Sequence, residues 1–154
     1  MAGHLHRLVY ASRWSNGLGD DVEAALHRIV AASIPRNRLL DLTGLLLAHD
    51  GWFLQALEGP EDGVHQVMGR IRPDPRHREI CVVSSGTAAS RLFKDWNMAG
   101  AWLGRGADAL LIELGQIARF DGRRLDAVGA LGLLIHAGEA ARQRELECLG
   151  LRAG

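Results

Sequence analysis

The chain has 154 residues, 47% of them hydrophobic and 23% charged, the balance of one compact soluble domain with a small appendage and not of a disordered chain. Its 18 basic residues equal its 18 acidic ones, so no net field marks nucleic acid or an anionic membrane as a partner. Cys81 and Cys148 fit neither a metal motif nor a disulfide framework and read as reduced thiols. No signal peptide is visible, and the apolar stretch Ala130 to Ala137 is too short to span a bilayer, so the expectation is a cytoplasmic protein.

In chain order, Leu5 to Ser12 reads as a strand whose pleat puts Leu8, Tyr10 and Ser12 on one face. Asp20 followed by Glu23 marks a helix start. Val22, Leu26, Ile29 and Val30 carry that helix to about Ser33, where Pro35 helps to stop it. Strands Leu42 to Ala48 and Trp52 to Glu58 follow, joined through an Asp-Gly pair that signals a hairpin. Gly59-Pro60 opens a second helix with Val64, Val67, Met68 and Ile71 on its inner side. The run RPDPRHRE reads as a turn-rich connector. A fourth strand is expected over Ile80 to Ser84, a short turn or helix over Ala88 to Phe93, and a fifth strand over Trp96 to Leu103.

The order β-α-β-β-α-β-β predicts an α+β, ferredoxin-like sandwich, a mixed sheet with two helices on one face. After Gly104 the pattern changes to two helices, Ala107 to Arg119 and Arg124 to about Leu149. The expected division is a domain over 1–103 and a helical extension over 104–154 that packs on the sheet or mediates assembly, because about 50 residues bury little alone.

Conventional catalytic patterns are missing: the sequence has no phosphate-cradling glycine loop, clustered metal ligands or GxSxG elbow. Polar residues nevertheless stand where a sandwich wants apolar ones. Gln55, in FLQAL, shares an alternating face with Phe53 and Leu57, and a glutamine there is costly unless its amide is bonded. Tyr10, the only tyrosine, needs a partner for its hydroxyl. With Ser33 and Asn37 near the end of the first helix, these residues suggest a polar pocket between sheet and helices.

The runs LVYASR (8–13), RNRLLDLTGLLLAHDGWFLQALEGP (36–60), DPRHREI (74–80) and FKDWNM (93–98) resemble, in order and spacing, the BLUF domain of flavin-binding blue-light receptors, over residues 5 to about 100. The resemblance implies FAD as cofactor. It implies Tyr10 as electron donor and Gln55 as the switch glutamine between tyrosine and flavin. Asn37 would hydrogen-bond the ring's carbonyl edge, Ile29 and Ser33 would line the ring, and Arg70 and Asp74 would meet its other edge, with Ile71 and His77 nearby. Trp96 and Met98, expected on the fifth strand, match the family's tryptophan and methionine tied to output. Arg36, where Asn or His is common, and Leu39 and Leu40 depart from the usual pattern. The implied function is a photoreceptor, not an enzyme, that signals through a downstream protein partner or its own homo-oligomer. Val128, Leu131 and Ile135 offer an apolar stripe for docking, assembly or packing on the sheet. Two other readings stay open: a ferredoxin-like interaction module without photochemistry, and a flavin enzyme with redox turnover.

Overall fold

The computed structural model describes residues 4–14 and 21–150. Strands β1 (Leu5–Trp14), β2 (Thr43–His49), β3 (Trp52–Pro60), β4 (His77–Thr87) and β5 (Ala99–Trp102) form one mixed sheet in the order β4-β1-β3-β2-β5. Every neighbouring pair is antiparallel except β2 and β5, which run parallel. Helices α1 (Val22–Leu39) and α2 (Glu61–Ile71) are the crossovers of the two β-α-β units. Each crossover skips one strand, and both helices cover the same face, as the sandwich requires.

Strand alternation divides the core in two. Leu8, Tyr10, Leu46, Phe53 and Leu57 face the α1–α2 layer, where they meet Leu26, Ile29, Val64, Val67 and Met68. Val9, Ala11, Leu45, Leu47 and Leu54 point to the opposite face. That face is covered by α3 (Asp108–Glu113) and α4 (Ala127–Cys148), chiefly through Leu111, Ala130, Leu133, Leu134 and Ala137. Both faces are therefore buried, which explains why β2 and β3 read as nearly continuous apolar runs.

The β2–β3 hairpin turns on Asp50 and Gly51, with φ of 49° and 79°. Two consecutive left-handed residues suit the tight turn that matches strand twist, and Asp-Gly supplies them at little cost. Gly44 has a different reason. A Cβ there would stand 2.1 Å from the carbonyl oxygen of Ala56, so the LTG motif is a packing constraint between β2 and β3.

Several boundaries differ from the sequence expectation. Helix α1 does not stop near Ser33 but runs to Leu39 with Pro35 inside it. Pro35 and Ala31, whose carbonyl loses its bond to the proline, are both exposed, so the lost acceptor lies on the solvent side of the helix. The final turn is held by the Asn37 Nδ2 donation to the Asn97 carbonyl at 2.8 Å and by the Leu42 N–H donation to the Asn37 carbonyl. The α1 cap is Asp21, which accepts from the N–H groups of Glu23 and Ala24; the expected start at Asp20 lies outside the described residues.

Strand β4 begins at His77 and not Ile80, because His77 and Arg78 already pair with Trp14 and Arg13. A bulge with Glu79 at φ 51° absorbs the change of register. Residues 88–93 form no helix. Strand β5 starts at Ala99, so Trp96 and Met98 precede the strand and do not lie on it. The turn there is fixed by Asn97, whose carbonyl accepts from Asn37 and whose Nδ2 donates to the Leu42 carbonyl. Helix α3 ends at Glu113, well short of Arg119, because Gly115 takes φ 69° and Gln116 brackets the backbone of Asp121 from both sides. Helix α4 starts at Ala127, where Asp126 accepts from the Gly129 N–H at 2.7 Å.

Candidate functional site

The cleft between α1, α2 and the sheet is built from periodicities. Ile29, Ser33 and Asn37 recur every four residues, so the continued α1 presents them on one face. Val67, Arg70 and Ile71 face them from α2, and Asp74, Arg76 and His77 close the end where α2 turns into β4. Gln55 forms the floor from β3. Directly across the β1–β3 ladder from Gln55 stands Tyr10.

Tyr10 is fully buried and Gln55 is 4% exposed. The Tyr10 hydroxyl donates to Gln55 Oε1, and Gln55 Nε2 reaches Met98 Sδ at 3.4 Å. A thioether is a weak acceptor, so the amide N–H is poorly satisfied for a group so deeply buried. Burial, reinforced by the nearby Asp74 carboxylate, pushes the Tyr10 phenol far above its ordinary value. The hydroxyl therefore holds its proton at neutral pH and remains a donor.

His77 hydrogen-bonds Ser12 Oγ through Nδ1 at 2.8 Å and packs edge-on to Tyr10. Burial lowers its pKa to about 4, so the imidazole is neutral. Asp74 is held below the usual carboxylate range, first by hydrogen bonds from Arg76, whose Nη2 lies 2.6 Å from Oδ2. Ser33 Oγ donates back to the Ile29 carbonyl at 2.6 Å.

The structure thus brings Ile29, Ser33, Asn37, Gln55, Arg70, Ile71, Asp74 and His77 around one cleft, with Tyr10 behind Gln55 and Met98 beside it. It does not bring in Trp96. That indole packs with the opposite core and donates from Nε1 to Glu145 of α4 at 3.0 Å. Sequence reasoning overlooked Val67 and Arg76 as lining residues; Arg76 lies in the run read as a connector. It also overlooked Glu58, fully buried near the end of β3 on the face of the sheet opposite the cleft. Its carboxylate accepts from Arg7 Nε at 2.9 Å and from the N–H groups of Leu92 and Phe93 at 2.8 and 2.9 Å. A charged residue inside an apolar run, beside Gly59-Pro60, was the available signal.

The sequence model of the family described as "BLUF: Sensors of blue-light using FAD" matches residues 5–99. The chain belongs to the BLUF family. Within it, the chain is 30% identical over 97 residues to the photoactivated adenylate cyclase subunit beta of Euglena gracilis, a match covering 63% of this chain and 11% of that protein. The chain thus spans about a tenth of the length of that cyclase relative. The solved structure of BlrB, a BLUF protein in its dark state, is 28% identical with a TM-score of 0.71 and covers 92% of this chain and 99% of its own. BlsA in its photo-activated state shares the fold, with a TM-score of 0.79 at 23% identity over 87% of this chain and 94% of its own. Among the described residues, no group of three or more His, Cys, Asp or Glu is placed to hold a metal ion. No helix among them is long and apolar enough to cross a membrane.

Proposed function

We propose that this chain is a blue-light photoreceptor in which Tyr10 and Gln55 convert excitation of a bound FAD into a changed hydrogen-bond arrangement. The single observation that carries this reading is the buried Tyr10–Gln55 hydrogen bond facing a polar cleft, with the Gln55 N–H left to a weak sulfur acceptor.

The residues present suit a flavin. Such a ring has an apolar plane and a carbonyl-rich edge. Ile29, Val67 and Ile71 suit its faces; Ser33, Asn37, Arg70, Asp74 and His77 suit its edges, and Gln55 Nε2 suits an acceptor better than sulfur. The gap between these side chains is about 70 Å³, so seating the ring would require displacement of the rim side chains Arg36 and Arg70. Arg36 and Arg70 are exposed, and moving them disturbs no core packing.

A bound flavin, once excited by blue light, supplies a strong one-electron oxidant. Tyr10 supplies the electron, and its phenolic proton follows along the existing bond to Gln55 Oε1. Return of the electron and proton to Tyr10 would restore the starting oxidation states and leave the carboxamide in a second arrangement, with Oε1 and Nε2 having exchanged partners. Two arrangements separated by a few kcal/mol form the bistable element a switch needs. We read residues 1–103 as the flavin-binding unit and 104–154 as the element that passes its state to a protein partner or a second copy. The cover that α4 gives the sheet supports this division, and exposed Ile112, Ile117 and Val128 support an onward contact.

The test is the spectrum of the purified protein. Bound FAD whose band shifts slightly to the red under blue light and recovers in darkness is the expected result. Protein that takes up neither FAD nor FMN on reconstitution would overturn the reading, and bleaching by NAD(P)H would favour a redox enzyme.

A further inference from the structure

We infer that Arg142 and Glu145 of α4 are positioning residues for the contact between Gln55 and Met98, acting through Trp96. The inference rests on the photoreceptor reading, because it concerns what the Gln55 amide meets.

Three consecutive residues join the cleft to the opposite side of the sheet. Met98 Sδ accepts from Gln55 Nε2 at 3.4 Å, and the Asn97 carbonyl accepts from Asn37 Nδ2 at 2.8 Å. Both donors line the cleft. Trp96 turns the other way. Its Nε1 donates to Glu145 Oε1 at 3.0 Å, and the Arg142 guanidinium lies 5.5 Å over its ring. Arg142 is itself tied to Asp95 at 2.6 Å. The residues that feel the amide and the residue that feels α4 are thus neighbours in sequence.

The segment has defined limits. On its N-terminal side, Leu92 and Phe93 are pinned by the buried Glu58 carboxylate; on its C-terminal side, Ala99 enters the β2–β5 ladder. Trp96 and Met98 both line an open groove of about 690 Å³ between α1 and the C-terminal half of α4. Met98 is 3% exposed and held in the core, whereas the Trp96 indole is half-buried, so on that side its bonds to α4 decide where the indole rests. Releasing Trp96 from Glu145 frees the indole while the Trp96 and Asn97 carbonyls stay bonded to the Gly44 N–H and to Asn37 Nδ2, so the change reaches the amide through the Met98 side chain, which borders the same groove. By reciprocity, a changed Gln55 arrangement alters how firmly α4 holds Trp96.

The full-length, flavin-loaded protein tests this through its dark-recovery rate after a blue-light pulse. Glu145→Leu and Trp96→Phe each remove the same bond and should each change the rate about two- to fivefold, the range of an exposed charged contact. Glu145→Gln retains an acceptor oxygen and should stay within about twofold of the unchanged protein, because the geometry and not the charge positions Trp96. In the double variant Glu145→Leu with Trp96→Phe, the effects should not multiply, because only one bond is lost. A merely structural contact would lower the melting temperature and leave recovery unchanged; that result, or fold-changes that multiply, overturns the inference. Should Glu145→Leu fail to fold, Trp96→Phe against Arg142→Ala carries the same comparison. An unaltered protein with no reversible shift would instead overturn the photoreceptor reading itself.

Discussion

Removing either end of the Tyr10–Gln55 bond should cost stability, and removing both should cost less than the sum. Tyr10→Phe keeps the ring in its buried place but strips the donor from Gln55 Oε1. Gln55→Leu takes the acceptor from the Tyr10 hydroxyl, at 0% exposure in the core with Leu8, Phe53 and Leu57. A buried polar group without a partner costs about 1–3 kcal/mol. Each kcal/mol lowers the melting temperature of a chain this size by about 2–4 °C. The double variant has neither orphan, so the expected coupling is about 1–2 kcal/mol in favour of the pair. Urea unfolding of the four proteins at matched flavin occupancy measures it. Additivity within about 0.5 kcal/mol would refute the claim that the two groups satisfy each other.

Three further outcomes follow from the same geometry. Glu58→Leu strands the Arg7 guanidinium and two backbone N–H groups, and equilibrium unfolding should show a loss of about 3–5 kcal/mol. Gly44→Ala would place a Cβ 2.1 Å from the Ala56 carbonyl oxygen and 3.1 Å from Met98 Cε. Calorimetry should show a destabilisation of about 1–3 kcal/mol. His77 is a base whose pKa falls from 6.5 unfolded to about 4 folded. Below pH 6.5 the unfolded chain takes up a proton that the folded chain refuses until near pH 4, so stability falls across that window, by about 3 kcal/mol in total. His77→Gln should flatten the urea midpoint between pH 7 and pH 4, and an unchanged slope would contradict a buried neutral imidazole.

The sheet and its two crossover helices were legible because both periodicities are strong. Leu8 and Tyr10 alternate with Val9 and Ala11, the Asp50-Gly51 turn is unambiguous, and Val64, Val67 and Met68 keep a helical stripe. Asn37 is instructive. Reading Pro35 as a stop put it beyond the helix, yet the lost bond faces water, and α1 carries Asn37 in line with Ile29 and Ser33. The proline rule is local, whereas the bonds from Asn37 to Asn97 and Leu42 are not. Arg76 was hidden because its place at the cleft is set by its bonds to Asp74 within the connector, which no periodicity shows. Trp96 and Met98 stand two apart, which in a strand would put them on one face, but they diverge because Asn97 is held by Asn37 and Leu42, a constraint no pattern of hydrophobicity encodes. The direct register of Tyr10 opposite Gln55 follows from the hairpin and the sheet order together.

Light-minus-dark absorption of the flavin-loaded protein, taken for the unchanged chain and for Gln55→Leu, tests the central claim most directly. The unchanged chain should give a small, reversible red shift of the flavin band, and Gln55→Leu should bind the same flavin with no such shift. A full, reversible shift in Gln55→Leu would show that the amide is not the switch.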